Sequence, residues 1–246
     1  MLMLNVDFIV LEIIKKGLHQ GGDGMVKKIL CNAIIIFSLV IGVAWADETH
    51  VVGNTVQLGR YEQDNDFSNG LEPIDWIVLR NDGTYVLLIS KYALDCLPYN
   101  EDYTSATWET CTLRKWLNED FLNTAFNMEE QQLLKTVTIT AEANPRFTTS
   151  PGNDTLDKVF LLSISEANDL FYRAKARQCR PTNYAMNRGA RLDSNTGNGW
   201  WWLRSPGFTG SIAAGVDVNG YVDDVGFFVY NTFNIVRPAI VLESHE

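Results

Sequence analysis

Two arginines sit in the most distinctive stretches of the chain: Arg204 in GWWWLRSPG, residues 199–207, and Arg237 in VRPAI, residues 236–240. A guanidinium presents a rigid fork of N–H donors, so either could clamp an anionic ligand. Either could instead be buried, held by carboxylates and carbonyls, and pin the last strand to the tryptophan strand. The second reading is the stronger, because three successive tryptophans need a core. Each can remove about 150–250 Å² from water, a gross transfer energy of about 4–6 kcal/mol at ~25 cal/mol/Å². Along a strand, Trp201 and Leu203 face one side while Trp200, Trp202 and Arg204 face the other. Both faces must then be covered, or one must meet a ligand.

The better candidates for ligand contact lie between the two motifs. Phe208, Thr209, Tyr221, Asp223, Phe227, Phe228, Tyr230 and Phe233 fall among Gly and Asn residues. Aromatic rings displayed with small polar residues give rigid contact area at low entropic cost. The competing reading is that these rings fill a small C-terminal core.

Catalytic groups are harder to find. From Asp47 onward the chain has only His50 and His245, each near an end of that stretch. Neither is well placed to orient a nucleophile, which disfavours Ser-His-Asp and Cys-His chemistry. No HExxH, zinc-spaced Cys/His cluster, Walker loop or GxGxxG occurs, so no metal or cofactor is expected. A carboxylate-based hydrolase stays open, since carboxylates are plentiful, but no pair stands out. Asp64-Asn65-Asp66-Phe67-Ser68-Asn69-Gly70 has calcium-like alternation. Its glycine falls one place late for an EF-hand, and position 12 is Asp75 rather than Glu, so an ordinary Asn/Asp/Gly turn is expected.

Residues 1–46 stand apart. Met25-Val-Lys-Lys, an apolar run from Ile29 to Val43, and Ala44-Trp45-Ala46 make a secretory signal peptide over 25–46. The rival reading is an uncleaved anchor, for which the run is short. Residues 1–24 are expected to lie ahead of the true start at Met25. The remainder, 47–246, is expected to be one domain, secreted or at the cell surface, with no membrane span. The whole chain carries a formal net charge of −10 and shows no basic patch. That excludes nucleic acid as an expected partner.

Cys96, Cys111 and Cys179 remain after residue 46. Closing Cys96 to Cys111 would contribute about 3 kcal/mol in the loop-entropy picture. Three reduced, buried thiols are the alternative.

The elements that must position these groups run strand, helix, strand. Val56–Tyr61 is a predicted strand, and Ile74–Arg80 and Thr84–Ser90 pair across Asn81-Asp82-Gly83. A helix is predicted over 110–118, with Leu113, Trp116 and Leu117 on one face. Asn127 with Glu130, and Ser163 with Glu166, are helix-start signatures. Lys135–Ala141 and Val159–Leu162 are predicted strands around a surface loop at 143–157. Pro181–Gly189 is a predicted short helix. Trp200–Arg204, Ala213–Val218 and Tyr221–Val225 are predicted strands, the last two joined at Asn219-Gly220. Ile235–Leu242 is predicted as one closing strand, with Pro238 placing it at an edge or bulge. This order predicts an α+β fold with a mixed, mainly antiparallel sheet and a few short helices.

The runs YEQDND, GLEPIDWIVL, LLISKYALDC, TWETCTLRKWLNEDFLNTAF, DKVFLLSISEAN, WWWLRSPG and VRPAI resemble a bacterial family of domains of unknown function, mostly secreted or surface proteins. The closing section, with W-LRS and VRPA, is also similar to C-type-lectin-like domains, including the formylglycine-generating-enzyme-like group. The resemblance implies a lectin-like scaffold whose late loops face a ligand. Members of that family often carry Cys where this chain has Gly199, which would leave Cys179 unpaired. The paired cysteines of copper-dependent oxidases of that group and the EPN or QPD triplets of calcium-dependent lectins are missing. The expectation is therefore a non-catalytic binding module for a protein or glycan. A secreted carboxylate-based hydrolase and a structural cell-envelope domain are the alternatives.

Overall fold

A computed structural model describes residues 50–243. The segments 1–24 and 25–46, and His245, lie outside the described residues. No helix among the described residues is long and apolar enough to cross a membrane.

Among the described residues, hydrogen-bonded strands form two five-stranded sheets and one small pair, mainly antiparallel, with short helices between them. The first sheet has the order β1-β2-β3-β12-β7: β1 is Thr55–Tyr61, β2 Glu72–Asn81, β3 Tyr85–Ser90, β12 Ala239–Glu243 and β7 Val159–Phe160. The second has the order β10-β9-β8-β11-β4: β10 is Val222–Phe228, β9 Ile212–Val216, β8 Trp201–Pro206, β11 Ile235–Val236 and β4 Asp95–Cys96. The lone parallel strand pair among these ladders is β11 with β8, where Ile235 lies beside Trp201. One continuous set of buried apolar residues runs through both sheets.

Position in the sheet explains the composition of the strands. β3 and β8 are interior, so YVLLIS and WWLRSP are buried along nearly their whole length. Interior strands covered on both faces carry continuous rather than alternating apolar runs. β10 is an edge strand and is half-exposed throughout, which leaves its aromatic side chains accessible.

Local signals produce the helices. Asn127 and Glu130 form a reciprocal capping box at the start of Met128–Leu133, and Ser163 and Glu166 do the same for Ile164–Asp169. Cys111 caps Thr112–Trp116 through its sulfur. That helix runs on through a π-turn, Leu117–Phe121, into Leu122–Ala125.

Three expectations are corrected. The closing strand is two strands: Ile235–Val236 belongs to the second sheet and Ala239–Glu243 to the first. Arg237-Pro238 makes the crossing, because proline has no N–H to continue a ladder; its carbonyl accepts from Ser90 N instead. Far from being an edge, β12 sits between β3 and β7. Finally, the 143–157 loop ends in a strand, β6 (Thr155–Asp157), paired with β5 (Val137–Ile139).

Candidate functional site

The tryptophan strand is the floor of the C-terminal region. Trp201 and Trp202 are fully buried, and each indole N–H finds a carbonyl, Arg177 O at 3.1 Å and Leu97 O at 3.0 Å. Trp200, half-buried, has the Arg191 guanidinium 5.9 Å from its ring centroid. Arg204 is buried against Glu166, whose two carboxylate oxygens receive its two terminal nitrogens. It also donates to Leu161 O at 2.8 Å. Arg237 is buried without a carboxylate: it donates to Ser90 O at 3.0 Å and Arg177 O at 3.1 Å. Its guanidinium lies 5.2 Å from the Trp201 ring and 5.7 Å from Phe171. Both arginines are thus occupied inside the protein.

The accessible aromatics sit above this floor. A β-bulge interrupts β10: Asp223 pairs with Gly215 but Phe227 pairs with Ala213. Asp223 holds the bulge by accepting from Val225 N and Gly226 N at 3.1 and 3.0 Å. Gly226 occupies the left-handed region at φ 85°. A Cβ there would lie 2.2 Å from Ala213 O, so only glycine fits. Bulges re-aim the residues that follow them, here Phe227 and Phe228.

Phe227, Phe228, Tyr230 and Phe233 line one open cavity of ≈ 590 Å³, with Ile212, Gly226, Asn231 and Thr232 completing it. Phe227 packs edge-on to Trp202 at 6.1 Å, tying the cavity to the floor. Phe228 and Tyr230 are 47% and 44% exposed. Tyr103, 63% exposed, joins them with ring centroids 5.8 and 4.9 Å away.

Four expected contact residues lie outside this cavity. Phe208 packs edge-on to Phe147 at 5.0 Å and stays exposed. Thr209 makes a hydroxyl contact with Ser211. Tyr221 is exposed at the opposite end of β10, roughly 20 Å away by strand rise. Asp223 serves the bulge. Sequence reasoning missed Tyr103 and Phe147; the aromatic character of the 95–108 loop was the signal for the first.

Two other buried carboxylates are engaged by several donors. Asp95 accepts from Tyr61 Oη and from Cys96 N, both at 2.7 Å, and lies 3.4 Å from Arg188. Burial raises its pKa above the ordinary carboxylate value despite these donors. Asp157 accepts from Trp108 Nε1, Thr155 Oγ1 and Arg114 Nε at 2.9, 2.7 and 2.7 Å. Cys96, Cys111 and Cys179 are all free and buried, so the Cys96–Cys111 closure is not formed. Cys96 Sγ contacts Thr232 O at 3.2 Å, and Cys111 Sγ accepts from Arg114 N at 3.4 Å. Burial pushes both thiols up to about 12, far from the range of a reactive thiolate. Among the described residues, one set of three acidic side chains converges closely enough to share an ion: Glu62, Asp64 and Glu72.

Residues 83–244 match the family described as Domain of unknown function (DUF6273), and the chain belongs to that family. The matched span starts after β2, so the YEQDND and GLEPIDWIVL runs precede it. Among curated proteins and solved structures, nothing matches the chain.

Proposed function

We propose that the protein is an exported, non-catalytic binding module of lectin-like character that recognises a glycan or protein through its C-terminal aromatic face. The observation that carries this reading is the cavity of ≈ 590 Å³ lined by Phe227, Phe228, Tyr230 and Phe233. Such a cavity offers apolar ring faces for stacking, with Asn231 and Thr232 at hand for hydrogen bonds. Ligand sites commonly combine a mostly apolar lining with a few polar groups. The buried Trp/Arg floor supports the reading from below, because a rigid base lowers the ordering cost of binding.

The test is a glycan array and a pull-down with the full chain, run beside a Phe228→Ala/Tyr230→Ala double variant. The reading expects a ligand that the double variant loses. Ligands that bind both proteins equally would place recognition elsewhere.

A further inference from the structure

We propose that Glu62, Asp64 and Glu72 form a binding site for a hard divalent cation of the calcium class at the closed end of the β1–β2 hairpin. The ladder itself brings two of them near each other: Tyr61 pairs with Glu72, and Glu62 is the residue that follows Tyr61. The loop between the strands turns back through Asn65, at φ 67°, and delivers Asp64. One oxygen from each carboxylate lies within 4.8 Å of the others.

The decisive group is Glu62. It is only 4% exposed. Its Oε1 accepts from Asn65 N and Asp66 N at 2.6 and 3.1 Å. Its Oε2 is buried with no hydrogen-bond partner. A carboxylate oxygen shut away from water without a donor is costly unless a cation compensates it. None of the ion pairs among the described residues supplies one: Lys91, Arg114, Lys115, Lys135, Arg146, Arg188 and Arg204 are paired with other carboxylates. Asn65 Oδ1, in the same loop, is a second buried oxygen without a partner.

The donor set selects the class of ion. It contains carboxylate oxygens and no imidazole or thiolate, which suits Ca²⁺ and disfavours zinc or copper. Asp64 is exposed and Glu72 half-buried, so solvent can fill the remaining positions that Ca²⁺ requires. The site differs from an EF-hand loop, since two of its three carboxylates come from the strand ends flanking Asp64–Gly70. It also lies ahead of the family-matched span.

Full-length protein stripped with EDTA is titrated with CaCl2 by calorimetry, with MgCl2 in parallel, and its thermal unfolding is followed with and without Ca²⁺. One site is expected, with Ca²⁺ bound more tightly than Mg²⁺ and an upward shift in the unfolding temperature. Asp64→Asn, at an exposed position, and Glu72→Gln are each expected to weaken Ca²⁺ by on the order of tenfold, since affinity follows ligand charge. Both variants are first shown to keep the wild-type circular dichroism. No heat and no thermal shift up to about 10 mM Ca²⁺, above the range of weak extracellular modules, would overturn the proposal. So would binding left unchanged in both variants.

Discussion

The Arg237 guanidinium lies 5.2 Å from the centre of the Trp201 ring, and both side chains are fully shielded from solvent. The contact joins the crossing between the two sheets to the middle of the tryptophan strand. Arg237 donates to Ser90 O at the end of β3 and to Arg177 O, the carbonyl that Trp201 Nε1 also uses. Truncation to Ala would leave a cavity and strip two carbonyls of a donor. Arg237→Ala is expected to cost about 3–5 kcal/mol, and Arg237→Lys, which loses the planar fork, about 1–3 kcal/mol. Urea unfolding measures both, and a loss under 1 kcal/mol for the alanine variant would contradict the arrangement.

The buried thiols and phenols make stability fall on the alkaline side. Cys111 and Cys96 are raised from 9.0 to about 12. Cys179 is also raised, and Tyr61 and Tyr99 stand well above the ordinary 10.0. A raised folded-state pKa contributes stability that is whole below the unfolded value and lost as pH climbs toward the folded one. The loss therefore begins near pH 9.0 and proceeds at about 1.4 kcal/mol per pH unit for each group that ionises only on unfolding. Urea unfolding between pH 8 and 11 should show this decline, and Cys179→Ala should make it shallower.

Thiol accounting follows from the same burial. In native protein, Cys96, Cys111 and Cys179 should resist a thiol reagent, and in denaturant all three should react. Peptide mapping that finds Cys96 joined to Cys111 would refute the free-thiol arrangement. Thiolate, not thiol, is the attacking species, so protection should hold well above neutral pH.

The aromatic cavity and the bulge beneath it can be separated by mutation. Phe228→Ala and Tyr230→Ala alter exposed rings, so each should change stability by less than about 1 kcal/mol. Gly226→Ala should cost about 2–4 kcal/mol, since φ is positive and the new methyl meets a backbone oxygen. A Gly226→Ala protein as stable as wild type would mean that β10 is not bulged as described.

What the sequence revealed was what short-range chemistry decides. Asn127 with Glu130 and Ser163 with Glu166 announce helix starts because the partners are three residues apart. Asn81-Asp82-Gly83 announces a hairpin because Asp-Gly suits that turn. The cavity was legible in part: Phe227, Phe228, Tyr230 and Phe233 are near neighbours in the chain. Tyr103 was not, because its contact with Tyr230 spans more than a hundred residues. The split at Arg237-Pro238 was legible only as an interruption at the proline; only the two sheets show where each half belongs. Glu62 and Glu72 flank a loop whose calcium-like alternation drew attention to Asp64–Gly70 instead.

The placement of β12 has a bearing on how the chain is made. Ala239–Glu243 is hydrogen-bonded on both sides, to β3 and to β7. A nascent polypeptide that has emerged only as far as Pro238 carries YVLLIS with an open flank, an invitation to mispairing with other chains. Tags or truncations that hinder residues 239–243 are therefore expected to yield inclusion bodies rather than a weakened fold.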